Sequence, residues 1–252
     1  MSEPMNRTLC RGLEILELLA ENAQGLELNQ VARSLNLPKS SAYNLLQTLS
    51  RLEYVHCAPD TGRYALGLRM FEVGSAAVNS ADIRAVIHSH MVEINRQLNE
   101  TMHLGVVAGT DALYIDKLES TRSIKMSSHV GLRLPLYSTA MGKAVLACLD
   151  DGQIAQLYPD GALPALTPHT VTTVEALRHQ LSEVRAHGYA VERLENDENI
   201  CCVGVAIEDR EGRPTYALSI SVPAFRFDAD EEAECGRLLL RAKRKIERVL
   251  KA

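Results

Sequence analysis

Through the first fifty positions hydrophobic residues recur at three- and four-residue steps, and the runs break where polar, Gly or Pro residues intervene. Leu9, Leu13, Leu16 and Ala20 predict the inward face of a first amphipathic helix, which residues 22–25 end. A second helix is expected with Asn29 as N-cap and Val31, Ala32 and Leu35 inward, leaving through Asn36, which tolerates left-handed backbone. Pro38 suits the first turn of a third helix, where its missing N–H costs nothing; Ala42, Leu45, Leu46, Leu49 and Leu52 form that helix's buried stripe. Residues 54–58 and 63–66 then read as short strands around the turn chemistry of Pro59, Asp60, Thr61 and Gly62. Three helices and a hairpin wing predict a winged helix-turn-helix over residues 5–67, a module that binds duplex DNA.

Beyond it the pattern changes. Residues 68–82 predict a helical linker, with Phe71, Gly74 and Val78 on one side. Residues 83–252 read as α+β: Ile83, Ile87, Met91, Ile94 and Leu98 mark a helix, and 102–107 with 113–119 form a hairpin through Gly109, Thr110 and Asp111. A helix starts near Ala140, another spans 174–187, strands cover 189–195, 202–208 and 215–222, and a helix over 229–250 closes the chain.

At 252 residues and 46% hydrophobic content, the chain has material for two cores. No apolar run approaches the ~20 residues that span a bilayer, and residues 1–7 lack a basic stretch followed by an apolar core, so a cytoplasmic protein without a membrane partner is expected. The six cysteines show no C-x-x-C spacing and read as reduced thiols; neither a metal nor a cofactor is implied.

The net charge of −5 is unevenly shared. Residues 1–70 carry seven Lys or Arg against seven acids, so the excess of acid belongs wholly to the remainder. Within the first part, Lys39, Arg51, Arg63 and Arg69 face only Glu53 and Asp60. Such a weak positive surface gives one copy modest affinity for phosphates, and pairing two copies doubles it.

The polar face of the third helix carries Ser40, Tyr43, Asn44, Gln47 and Arg51, with Lys39 at its start. These supply donors, acceptors and a ring for phosphates and base edges. Ser41, Thr48 and, just past the wing tip, Arg63 complete the candidate DNA-contacting set. A tri-helical unit with a hairpin also serves as a protein interaction module in a sensor, which is the competing reading.

In the second part, residues 131–143 (GLRLPLYSTAMGK) bring a loop into a helix start. Ser138 and Thr139 can cap it, and the N–H groups of Ala140, Met141 and Gly142 can hold a carboxylate. Ser219 and Ser221 place two hydroxyls on one face of an apolar strand, where buried hydroxyls need partners. An enzyme would require Cys202 as nucleophile and His103 as base in a thiol-dependent hydrolase. The apolar run around Cys202 argues for an inert thiol, no G-x-S-x-G or phosphate-cradling loop is present, and no catalytic residue is assigned.

The strings LPKSSAYNLLQTL (37–49) and GRYALG (62–67), the G-x-R-x-P-L-Y-S-T-A-x-G-K run and the 202–223 segment together resemble the IclR family of bacterial transcriptional regulators, over about the whole chain. The resemblance implies a winged helix-turn-helix, a helical linker and a GAF-like α/β effector domain. It also implies a homodimer or dimer of dimers on a palindromic operator, answering to a small carboxylate or sugar-acid effector. The family's small-acid pocket falls here on Met126, Leu134, Ala140, Met141, Glu192, Ile200, Cys202, Ser219 and Ser221, and His103 and Tyr137 resemble the branch that responds to sugar acids. Three positions depart from the family pattern: Asn44 stands where many members have Arg, Glu192 where Asp is commoner, and Leu194 at a usually acidic place.

Overall fold

Asn6 caps the first helix, α1 (Arg7–Ala20), its side-chain oxygen accepting from the N–H groups of Thr8 and Leu9 at 3.1 Å. In this computed structural model, which describes residues 6–78 and 81–251, the chain divides into two compact units, Met1–Ser80 and Ala81–Ala252.

In the first unit α1 buries Ile15, Leu16 and Leu19, while Leu9 and Leu13 are 63% and 51% exposed. The expected face is therefore rotated. Two adjacent stripes of α1 are apolar, and periodicity alone cannot choose between them; the core takes the one centred on Ile15 and Leu19. Helix α2 (Leu28–Ser34) is capped by Glu27, not Asn29, and the Gln30 side chain accepts the Glu27 N–H at 2.8 Å. It ends as expected at Asn36, with φ 49°. The N–H groups of Asn36 and Leu37 return to the carbonyls of Arg33 and Ala32 at 3.2 and 2.8 Å, a Schellman closure that fixes the turn into α3 (Lys39–Arg51). Pro38 lies one residue outside α3, with the extended ψ of 138°.

Helix α3 buries Ala42 and Leu46 and half-buries Leu45 and Leu49, but Leu52 is exposed because the chain turns out of the helix there. Glu53 makes that turn at φ 63°. Gly67 lies against its carbonyl; a Cβ at 67 would approach Glu53 O to 2.1 Å. The wing strands β2 (Val55–Cys57) and β3 (Arg63–Leu66) pair antiparallel, and the two-residue β1 (Leu26–Glu27), which the pattern does not reveal, adds to the other edge of β3. Helix α4 (Leu68–Val78) follows. The Val78 side chain, residues 79–80, and Met5 and Ala252 at the expected domain limits lie outside the described residues.

The second unit opens with α5 (Ala81–Leu98), the hairpin β4 (Thr101–Ala108) and β5 (Asp111–Leu118), and the short β6 (Arg133–Pro135). Helices α6 (Ala140–Leu146), α7 (Asp151–Leu157) and α8 (Val174–His187) follow, then β7 (Ala190–Arg193), β8 (Ile200–Glu208), β9 (Pro214–Pro223) and α9 (Ala229–Lys251). The strands form one antiparallel sheet in the order β6-β5-β4-β9-β8-β7. Helices α5 and α9 pack on each other and on the central strands, and α6 packs on β7, β8 and β9 and on α8. The expected α+β class holds, while β6 and α7 are additions. With helices on both sides, β8 is buried along nearly its whole length, which is why it reads as an unbroken apolar run rather than an alternating one.

Candidate functional site

On α3 the side chains of Lys39, Ser40, Ser41, Tyr43, Asn44, Thr48 and Arg51 are exposed together. Gln47 is half-buried and hydrogen-bonds the hydroxyl of the wing residue Tyr64. The Thr48 hydroxyl donates to the Asn44 carbonyl at 2.9 Å, leaving mainly its methyl outward. Arg63 is also half-buried: its guanidinium donates to the carbonyls of Gln24 and Gly25 at 3.3 and 3.5 Å and so staples the wing to the turn after α1. Gln47 and Arg63 therefore shape the DNA-facing surface more than they extend from it.

In the second unit the start of α6 rests directly on β8. Gly204 makes this possible, since a Cβ there would lie 2.7 Å from Ala140 C and Met141 N. Gly142 lets the preceding 3-10 turn (Leu136–Ser138) fold back against the same helix, with Leu136 O 2.2 Å from where its Cβ would be. Beside this contact lies a cavity lined by Tyr114, Met126, Leu134, Thr139, Ala140, Met141, Glu192, Asn196, Asp197, Ile200, Cys202 and Ser219. Side chains close around it to a free volume of about 10 Å³, room for about one water molecule. Gly204→Ala is expected to lift α6 from the sheet, costing about 1–3 kcal/mol and deforming the cavity wall. Urea unfolding and effector titration of the variant would measure both.

Eight of the expected pocket residues meet there: Met126, Leu134, Ala140, Met141, Glu192, Ile200, Cys202 and Ser219. Four expected residues do not line it. The Gly142 N–H is taken by the Thr139 hydroxyl at 3.2 Å, so only earlier N–H groups of the helix start remain for a ligand. Tyr137 turns into the core on the other side, donating to Pro164 O at 2.7 Å and meeting the Tyr158 ring edge-on. Ser221 lies beyond Cys202, its hydroxyl 3.2 Å from the Cys202 sulfur. His103 sits behind Tyr114, the rings stacked with centroids 4.3 Å apart, and its Nε2 meets the Ser128 hydroxyl at 2.8 Å. The strand register places His103 opposite Ser219, but the stacked Tyr114 ring reaches the cavity in its place.

Tyr114, Thr139, Asn196 and Asp197 were not legible in the pattern. In the sequence Thr139 offers a helix cap and Tyr114 a strand position, and Asn196 and Asp197 arrive on the turn between β7 and β8. Glu192 is buried, and one carboxylate oxygen accepts the N–H groups of Glu195 and Asn196. Loss of solvation pushes its carboxyl up to about 7 despite those bonds. Behind it, Lys143 is fully buried and paired with Glu195, its ammonium also 3.4 Å from Val191 O.

A thiol hydrolase finds no support in this geometry. Burial raises the Cys202 thiol well above its ordinary value and drops His103 to about 3, Lys117 adding to the latter, so nucleophile and base are both held neutral. The Ser221 hydroxyl also stands between them, 3.5 Å from His103 Nδ1.

Residues 75–248 match the family described as "Bacterial transcriptional regulator IclR C-terminal", and residues 8–57 match "IclR helix-turn-helix domain". The chain belongs to the IclR family. Among IclR-type relatives, the HTH-type transcriptional regulator XynR of Escherichia coli is 33% identical over 98% of each chain. The E. coli regulator KdgR is 34% identical over 92% of this chain and 88% of its own. The crystal structure of the Thermotoga maritima IclR superposes with a TM-score of 0.83 at 34% identity, over 97% of this chain and 99% of that one. As an IclR-type protein the chain is a transcriptional regulator with a DNA-binding helix-turn-helix and an effector-binding domain, not an enzyme. Among its described residues no helix is long and apolar enough to cross a membrane.

Proposed function

We propose that this IclR-type regulator binds a palindromic operator as a homodimer or dimer of dimers, through the exposed α3 side chains of Lys39, Ser40, Ser41, Tyr43, Asn44 and Arg51. Two recognition helices must meet successive major grooves about 34 Å apart, and the near-neutral charge of the first unit makes the second copy necessary for useful affinity. The effector is a small hydroxylated carboxylate of the sugar-acid type, held beside Ala140 and Met141 in the cavity, whose side chains must move apart from their present free volume of about 10 Å³ to admit it. It shifts the balance between operator-fitting and non-fitting arrangements of the pair, for which it must have different affinities.

The composition of the cavity wall carries the effector reading. Its described lining holds the acids Glu192 and Asp197, the amide of Asn196 and the hydroxyls of Tyr114, Thr139 and Ser219, with no Lys or Arg. Acceptors of this kind call for ligand hydroxyls, and the ligand carboxylate is left to the N–H groups of the helix start. A thermal-shift screen comparing sugar acids with deoxy and aliphatic carboxylates of equal length tests this, because a ligand of the folded state raises apparent stability. Preference for the aliphatic acids would overturn the assignment.

An anion beside Glu192 favours its protonated form, so binding takes up a proton once the pH exceeds the free-state value near 7. Affinity for the effector is therefore expected to be flat below that pH and to fall above it by up to about tenfold per pH unit. Glu192→Gln, which stays neutral, should flatten the fall. Titration calorimetry from pH 6 to 9 measures it, and an unchanged slope in the variant would show that another group is responsible.

A further inference from the structure

A second concavity lies in the effector domain, sharing no lining residue with the cavity just described. It is a groove of about 390 Å³ between α8, the edge strand β7 and the first turn of α9, large enough for a small molecule. Glu195 forms part of its floor and is only 4% exposed. Both donors that reach this carboxylate, the Lys143 ammonium and the Gln180 amide, fall on Oε1. Oε2 is buried with no partner, and so is Oε1 of the neighbouring Gln180, which also lines the groove. Two adjacent buried acceptors without donors are a costly arrangement, which a donor entering from the groove would relieve.

The charges define the kind of donor. Glu183, Glu195 and Glu232 line the groove together with His169 and His187; Arg193 pairs with Glu232 and Lys143 with Glu195, while Glu183 has no Lys or Arg partner among the described residues and only the exposed His179 imidazole 4.0 Å away, so the groove carries an excess of negative charge at Glu183. Both orphaned oxygens can only accept, so a ligand must bring the donors, and the excess of carboxylates favours donors on a cationic group. The half-buried ring of Tyr189 and the side chain of Val184 offer an apolar wall for a short stem and a π-face for a cation.

We propose that this groove is a second ligand site of the regulator, taking a small organic cation whose primary ammonium donates to Glu195 Oε2 and the Gln180 carbonyl while its stem lies on Tyr189 and Val184. This proposal does not rest on what the effector cavity binds.

The test uses the full chain and butylammonium as the probe, with butanol and butyrate at matched ionic strength, followed by titration calorimetry and thermal shift. Saturable binding of butylammonium, weakened at least fivefold by Glu183→Gln and by Gln180→Leu, with neither control ligand binding, supports the site. Glu183 is exposed, so its variant is expected to fold and to keep its operator affinity, and the test does not depend on disturbing the buried Lys143 pair. Absence of saturable binding, equal binding of butanol, or binding indifferent to both substitutions would overturn it; ordered water then satisfies the two oxygens.

Discussion

A Tyr43→Ala, Asn44→Ala double variant is expected to lose about 100-fold or more in operator affinity while its melting behaviour and effector binding stay those of the parent. Both side chains are exposed on α3 and neither belongs to the core of the first unit, which is built from Ile15, Leu19, Val31, Leu46, Val55 and Tyr64. A good base-edge contact discriminates by about 1–3 kcal/mol, and two such losses compound in a dimer that uses each residue twice. Gln47 is the less informative target, because its truncation also frees the Tyr64 hydroxyl and disturbs the wing. Fluorescence anisotropy with operator DNA at fixed salt is the measurement. Operator affinity within threefold of the parent would move the recognition surface off α3. Lys39→Ala, a candidate phosphate contact, should by contrast lower affinity for operator and random DNA alike and reduce the salt slope by about one unit per site.

The second large effect is expected at Lys143. Its side chain is fully buried, and Glu195 compensates its charge. Removing one partner of such a pair leaves the other charged and dry, at a cost of about 3–5 kcal/mol. Lys143→Ala should therefore lower the urea midpoint of the second unit sharply, with the first unit's transition little changed. A double variant, Lys143→Met with Glu195→Leu, should recover much of the loss, since replacing both members with apolar groups of similar size removes the unmet charge. A single variant as stable as the parent would mean that the pair contributes little to holding the second unit together.

Elements whose apolar residues kept a single period were legible in the sequence. Helix α5 buries Ile83, Ile87, Met91 and Ile94 as the spacing predicts, and α8 spans the expected 174–187, where the structure shows Thr173 capping its start and Gly188 ending it in the left-handed conformation. Where two faces of a helix were equally apolar, as in α1, the period could not say which faces the core. The two-residue β1 and the three-residue β6 exist only because a neighbouring strand offers them hydrogen bonds, and nothing local encodes that. The cavity was legible where the family motif runs through it and illegible where register decides. His103 and Tyr114 stack, and only their order relative to the cavity makes one a wall and the other its backing. Nothing local marks Lys143, at the end of a Gly-Lys pair, as buried; its burial follows from α6 lying on the sheet at Gly204, seen only in three dimensions.

The short turn after β7 has a thermodynamic corollary. The Glu192 carboxylate, in the wall of the cavity, is held by the N–H of Glu195, whose own side chain floors the groove on the other side. Any compound that displaces that peptide from the groove alters the energy of ionising Glu192, and any effector that displaces it from the cavity alters the donors Glu195 can accept. Equilibrium linkage then forces reciprocity: whatever factor one compound imposes on the other's affinity is returned in full, so the regulator would weigh two chemical signals against each other through a single backbone amide.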